Sequence, residues 1–452
     1  MAAPAADEGM RMPMARQKIV ILGGGYVGLY VAWTLEKHSE LPLDVTLVEP
    51  RAYMTYQPLL PEVAGGHVSP RDVTVDLVQA LPHTNVVRGS VTALDSRSKT
   101  VTVAPIDGGE TVYEYDHVVV GLGAVTRTFP TPGLAEHGVG FKTIEEAAHT
   151  RNTVLLNVAK AAATTDPAER RKLLTFVFIG GGYTGVEALG ELSDLSKKAI
   201  AAQPALADEE PNWILIEALD RVAPEVGPEL SVWTLGELRR RGIDVRLKTT
   251  MKSCEDAVAV FSDGDEVPFG MLVWTAGVKP NPVLDSTDLP RGPRGHVNTN
   301  VRLQVVREDG GWVRGVWAAG DNAQIPDLTK PQPAWYPPNA QNALRQAVLL
   351  GANIARAVRH RRPHRYIHYS LGTVAAYGLF HGAANIFGVQ LKELPAWLVH
   401  RGYHLLAMPT TDRKVRIFAG WVADFVGRTD LTPTDDLEDP THDFRIAAGG
   451  GQ

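Results

Sequence analysis

Two glycine clusters carry the clearest chemical signature in the chain, Gly23-x-Gly25-x-x-Gly28 and Gly180-x-Gly182-x-x-Gly185. In this pattern the first glycine permits a tight turn, the second lets a pyrophosphate approach the backbone, and the third lets the following helix pack against its strand. The phosphates then rest on a helix N-terminus, where unpaired N–H groups and the helix dipole favour negative charge. Each cluster is followed by an acid. Glu49 comes 21 residues after Gly28, close to the ~20 at which a carboxylate accepts hydrogen bonds from ribose hydroxyls. Glu217 comes 32 residues after Gly185, and a longer helix plus the charged loop at 208–210 account for the extra length. An acid at that position disfavours a 2′-phosphate and favours NADH over NADPH, with Arg221 the one nearby residue that acts in the opposite direction.

These residues need strands and helices to hold them, and the hydrophobic pattern supplies both, twice. An apolar run at 18–22 enters the first cluster, a helical stretch follows over 29–37, and a strand returns at 45–49 to end on Glu49. The same order recurs at 174–179, 186–201 and 213–217. Segments rich in alternating Val and Thr at 86–103 and 111–120 suit meander strands, and the second unit is followed by similar runs at 244–248, 257–262 and 271–275. The fold class is therefore α/β, with two Rossmann-like dinucleotide-binding domains that look like a duplicated architecture.

Composition narrows the chemistry those domains can support. At 452 residues the chain is long enough for more than one domain. Its 45 Lys and Arg against 51 Asp and Glu give a net charge of -6, which offers no basic field for nucleic acid. Cys254 is the single cysteine, so the chain has no intrachain disulfide, no Cys-x-x-Cys pair and no cysteine-rich zinc site. None of the 14 histidines falls in a helix-borne metal motif; His360, His364 and His368 are interrupted by Pro363 and surrounded by arginines, and they read as a solvated basic connector. No metal site is expected. Redox chemistry must then come from bound cofactors, and two dinucleotide folds most simply hold a flavin and a nicotinamide. Residues 1–16 read as a frayed leader and 431–452 as a disordered acidic tail, with no run of ~18 apolar residues between them.

Several ordered motifs resemble those of the type II NADH dehydrogenases, single-chain flavin NADH:quinone oxidoreductases. They are Tyr56-Gln57-Pro58-Leu59-Leu60-Pro61-Glu62-Val63-Ala64-Gly65, Gly182-Tyr183-Thr184-Gly185-Val186-Glu187, Trp274-Thr275-Ala276-Gly277-Val278 and Ala318-Ala319-Gly320-Asp321. The resemblance covers roughly residues 17–430 and implies FAD on the first fingerprint and NADH on the second. It implies that Asp321 accepts hydrogen bonds from the ribitol chain and that Glu187 faces the nicotinamide and the flavin. It also implies that Ala340 opens a helix reaching the flavin ring, with Gln341 and Gln346 lining a quinone pocket. The acceptor would be menaquinone or ubiquinone. Arg345 is the main departure, since many members carry glutamine there; a guanidinium donates only, whereas an amide both donates and accepts. Disulfide and sulfide oxidoreductases of the broader class need reactive cysteines, and one cysteine excludes them. The domains expected are 17–140 with 290–365 for FAD, 141–289 for NADH, and 366–430 for a C-terminal membrane-anchoring region.

That last region has its own pattern. Val415, Phe418, Trp421, Val422, Phe425 and Val426 recur at helical spacing, and residues 397–428 hold five basic side chains, Arg401 among them, against Asp412 and Asp424. Such a helix fits an anionic bilayer surface, although amphipathicity alone does not separate this from a contact with its own domain or a dimer interface, the preferred reading of the pattern by itself. The resemblance favours the first: peripheral attachment to the cytoplasmic side of the cell membrane. Two other functions fit the same residues. One is a soluble FAD-dependent NAD(P)H oxidoreductase with another acceptor, and the other is a redox-sensing binding protein controlled by NADH and flavin.

Overall fold

A computed structural model describes residues 15–370, 372–427, 429–433, 441 and 445. Most of the leader and of the acidic tail expected at the two ends, together with Arg428, lies outside them. The chain divides into two compact units. One takes in Asp76–Ala124, Pro280–His368 and the chain up to Met54; the other takes in Thr55–Val75, Val125–Lys279 and the chain from Tyr369 onward.

The first unit is built on an eight-stranded sheet. Its parallel centre runs Trp312–Ala318, His117–Val120, Gln17–Leu22, Leu43–Glu49, Asn85–Asp95, and antiparallel strands extend both edges. Ile19, Ile21, Leu22, Leu47, Val118, Val119 and Val120 are fully or almost fully buried, as expected of parallel strands covered on both faces. One of those faces carries helix Tyr26–Glu36, and helix Ala340–Val358 packs closely on it. Gly351 allows that approach, because a Cβ there would press into Thr34. Asn339 caps helix Ala340–Val358, its side chain accepting from Asn342 N at 2.8 Å. Parallel strands place their carboxyl ends together, so the turns after Leu22, Val120 and Ala318 share one edge of the sheet.

The second unit repeats the theme with a wholly parallel sheet, ordered Gly138–Val139, Met271–Trp274, Thr175–Ile179, Asn212–Glu217, Asp244–Leu247. Phe176 stacks on Trp213 with ring centroids 4.6 Å apart. Helix Tyr183–Ala201 contacts Leu60–Gly65 and the long helix Ile144–Ala163, whose start carries a Thr143/Glu146 capping box. The unit closes with an antiparallel sheet, Gly372–Ala376, Gly382–Ile386 and Val389–Lys392, followed by helices Glu393–Ala407 and Thr411–Val426. The second of these helices agrees with the amphipathic stretch expected from sequence; the sheet before them was not anticipated. The compact units also differ from the expected ranges, since 125–140 and 280–289 change sides and 55–75 groups with the second unit.

Candidate functional site

In the first unit the fingerprint turn has the form its glycines suggest. Gly23 sits at φ +96°, and a Cβ on Gly28 would collide with the Gly23 carbonyl oxygen, so the helix start is pressed onto the turn. Above Gly25, by contrast, nothing lies within 4 Å. That open side over helix N-terminal N–H groups is a place for a pyrophosphate. Glu49 ends its strand beside the turn and accepts from Gly24 N at 2.6 Å and from Arg51 N at 3.1 Å. Burial pushes its carboxyl up from the usual range, and those two backbone donors work in the opposite direction.

The Gly320–Asn322 turn follows strand Trp312–Ala318 at the same sheet edge. Asn322, which the sequence motif did not single out, is fully buried and braces the edge: its Oδ1 accepts from Gly123 N at 2.9 Å, and its Nδ2 donates to Val120 O at 3.0 Å. Asp321 sits between these anchors on the half-buried side. Gln346 is buried, and its Oε1 accepts from Gly320 N at 2.8 Å, so this amide holds the Asp321 turn. Gln346 also lines a small cavity with Asp321, Asn339 and Asn342, and it lies on a different helix face from Gln341, five residues away. Gln341 and Arg345 share a face at i and i+4 and are both half-buried. Arg345 does not run out along the helix surface; its Nη1 lies 3.3 Å from His368 Nδ1.

The second unit repeats the cradle. Gly180 sits at φ +111°, a Cβ on Gly185 would strike the Gly180 carbonyl, and Gly182 is open apart from Glu225 Oε1 at 3.6 Å. Glu217 accepts from Gly181 N at 2.6 Å and from Leu219 N at 2.8 Å, reproducing the geometry of Glu49 despite the longer sequence gap. Arg221 is exposed and turned to Asp220, with Nε 2.9 Å from Oδ1. Glu225, missed from sequence, is exposed and flanks the cradle; its only signal was an Ala-Pro-Glu turn after the ribose acid.

Glu187 lies at the start of the second turn of helix Tyr183–Ala201, and its Oε1 accepts from Ala376 N at 3.1 Å and sits 3.3 Å from His400 Nε2. It is tied to the C-terminal sheet and helix. Further buried polar contacts join those helices to the same unit. His67 Nε2 is 3.2 Å from Glu191, and its Nδ1 meets Asp424. Burial opposes the charge on His67, but the bonds to Asp424 and Glu191 outweigh it and raise the imidazole to about 10. Trp421 Nε1 donates to Glu62 Oε2 at 2.6 Å. Arg401 is buried, 3.5 Å from the same Glu62 oxygen and stacked over the rings of Trp397 and Trp421. Trp421 and Arg401, expected on the apolar stripe and its basic flank, are thus turned inward because a buried carboxylate recruits them. Phe418, Val422, Phe425 and Val426 remain exposed, as do Leu398 and Leu406 of the preceding helix.

Two glycine cradles, each closed by an acid at the end of the next strand, define a protein built to hold two dinucleotides. The residues fit FAD and NADH, since each cradle is open over its middle glycine and backed by a carboxylate acceptor. The chain belongs to the pyridine nucleotide-disulphide oxidoreductase family, whose sequence profile matches residues 8–347. Its relatives include the type II NADH:quinone oxidoreductase NdhA of Mycobacterium tuberculosis, 28% identical over 437 residues, covering 91% of this chain and 88% of that one. The demethylphylloquinone reductase NdbB of Synechocystis is 27% identical, covering 92% and 98%. The fold matches NDH2 from Plasmodium falciparum, solved with NADH, with a TM-score of 0.84 at 19% identity over 92% of this chain and 99% of that one. The disulphide chemistry in the family's description has no counterpart here. Cys254 is fully buried in the core of the second unit, its Sγ faces Pro132 O at 3.6 Å, and burial raises its thiol.

Proposed function

We propose that the chain is an FAD-dependent NADH:quinone oxidoreductase. The observation that carries this reading is the pair of acid-backed cradles, one in each unit, in a chain whose only thiol is buried. FAD, when bound, supplies a ring that accepts two electrons from NADH and passes them to the acceptor. The side chains supply binding and alignment. Gly23, Gly25 and Gly28 with Glu49 hold the adenosine half of FAD, and Asp321, steadied through Gly320 and Asn322, serves its ribitol chain. Ala340 opens the helix whose N–H groups face the flavin ring. Gly180, Gly182 and Gly185 with Glu217 hold NADH, and the carboxylate selects against a 2′-phosphate. Glu187, positioned by Ala376 N and lying beside His400, serves the nicotinamide end. Gln341 and Arg345 face the acceptor, a menaquinone or ubiquinone. Alignment of two rings supplies most of the rate, so no strong acid–base pair is demanded of the protein.

We further propose that the exposed stripe of Phe418, Val422, Phe425 and Val426, with Lys414 and Arg416 on the same helix, rests on the anionic cytoplasmic surface of the cell membrane. No helix among the described residues is long and apolar enough to cross a membrane, and none therefore lines a proton path through one. A homodimer contact is the alternative use of the same exposed stripe. The quinone reading is tested by steady-state NADH oxidation with ubiquinone and menaquinone analogues against ferricyanide and small redox proteins. Arg345 favours a second reading, a soluble oxidoreductase with a non-quinone acceptor, and turnover confined to those other acceptors would establish it.

A further inference from the structure

Arg345 and His368 form a polar pair in the first unit whose hydrogen-bonding capacity the protein leaves incomplete. Arg345 Nη1 lies 3.3 Å from His368 Nδ1. A guanidinium has five donors and no acceptor, so this contact is a hydrogen bond only if Nδ1 offers its lone pair. The ring proton then belongs on Nε2, and the ring is neutral, since a proton on Nδ1 would face the guanidinium directly. Burial first, and the Arg345 charge second, hold His368 below the usual imidazole range, in agreement with that assignment. The ring cannot drift far: His368 N donates to Tyr336 Oη at 3.0 Å, and Tyr336 packs edge-on against Tyr366 with centroids 4.8 Å apart. Nε2 is buried, yet among the described residues it has no hydrogen-bond partner. A buried N–H without an acceptor is destabilising, so a donor left in this state beside Arg345 suits a ligand that brings an acceptor atom.

We propose that Arg345 and His368 act as a donor-only clamp on a carbonyl oxygen of the quinone, and that the clamp discriminates the quinone from its hydroquinone product. This rests on the quinone reading given above. A quinone carbonyl accepts from both groups. A hydroquinone hydroxyl must also place its own proton, and neither Arg345 nor His368 can accept it, whereas a glutamine at 345 would offer an amide oxygen. Substrate is retained and product released. Neither side chain is a proton source: NADH, one proton from water and the quinone give NAD⁺ and hydroquinone, with His368 keeping its Nε2 proton throughout. His368 is thus a specificity determinant for the acceptor, and Arg345 both contacts the acceptor and fixes the His368 tautomer.

The test uses the full-length, FAD-loaded protein. Histidine ¹⁵N shifts, with His368 assigned through a His368→Gln variant, should show a neutral ring protonated at Nε2 at neutral pH. The ratio of the hydroquinone inhibition constant to the quinone KM is then measured for a short-chain ubiquinone and a menaquinone analogue. Arg345→Gln should lower that ratio by roughly 2- to 10-fold, the worth of one recovered hydrogen bond. Arg345→Lys should preserve it, because lysine also only donates. His368→Gln should lower it in the same direction. An unchanged ratio in Arg345→Gln with quinone turnover intact, or a His368 ring that is charged or protonated at Nδ1, overturns the clamp alone. Absence of quinone turnover by the unsubstituted protein overturns the quinone reading and the clamp with it.

Discussion

Glu49 and Glu217 each spend one oxygen on a fingerprint N–H and the other on a backbone N–H just past their strand. A single carboxylate thereby fixes the shape of the cradle and still presents lone pairs to a ribose, because each carboxylate oxygen can accept more than one hydrogen bond. Glu217→Ala removes both tasks in the second unit. The apparent KM for NADH should rise roughly 10- to 100-fold, the range expected for hydrogen bonds to a charged group, with a smaller change in kcat. Steady-state kinetics at saturating quinone check this, and an unchanged KM would place NADH elsewhere. The glycines and acids were legible in the sequence because their spacing is dictated by a turn and one strand–helix–strand excursion. The bracing bonds of Gln346 and Asn322 were not. Their task is to satisfy backbone groups of a distant loop, and no local pattern announces which N–H or C=O a side chain will meet after folding.

The helix Thr411–Val426 is legible in part for the same reason. Its apolar periodicity marks it as a helix with an exposed face, but cannot say that Trp421 leaves the stripe to reach Glu62 or that Asp424 meets His67. Those contacts depend on 55–75 folding against the second unit, a long-range event. They also make the attachment of this helix sensitive to pH. His67 is raised from 6.5 to about 10 by Asp424 and Glu191, so its stabilising contribution is complete below 6.5 and is lost as pH climbs toward 10. Asp424 is lowered, first by the His67 hydrogen bond, with Lys198 and Arg401 adding to it. Its contribution holds above its ordinary range and is lost as pH falls through the lowered value. Hydrogen-exchange protection over 411–426 should therefore decline on raising pH from neutral toward 10, after correction for the intrinsic exchange rate, and should do so less in His67→Gln. The outer face makes a separate prediction. Replacing Phe418 and Phe425 by glutamate should cut binding to anionic vesicles at least tenfold while FAD content is kept, as measured by co-sedimentation. Unaltered co-sedimentation would assign the stripe to another partner.

At the scale of the molecule, the fold class and the duplication were readable because two hydrophobic patterns of strand, turn and helix recur in order, and the structure places both on parallel sheets. The limits of the two compact units were less so, since 55–75 sits between strands of the first unit in sequence yet packs with the second. A chain with two dinucleotide cradles and its one cysteine sealed in a core has no sulfur relay to offer, so electrons must pass from the flavin to the acceptor directly. The most direct measurement is stopped-flow reoxidation of the NADH-reduced holoprotein by ubiquinone and menaquinone analogues in comparison with dissolved oxygen. Return of oxidised flavin absorbance far faster with at least one quinone than with oxygen is the expected result; rates no faster than with oxygen for every quinone would contradict the assignment.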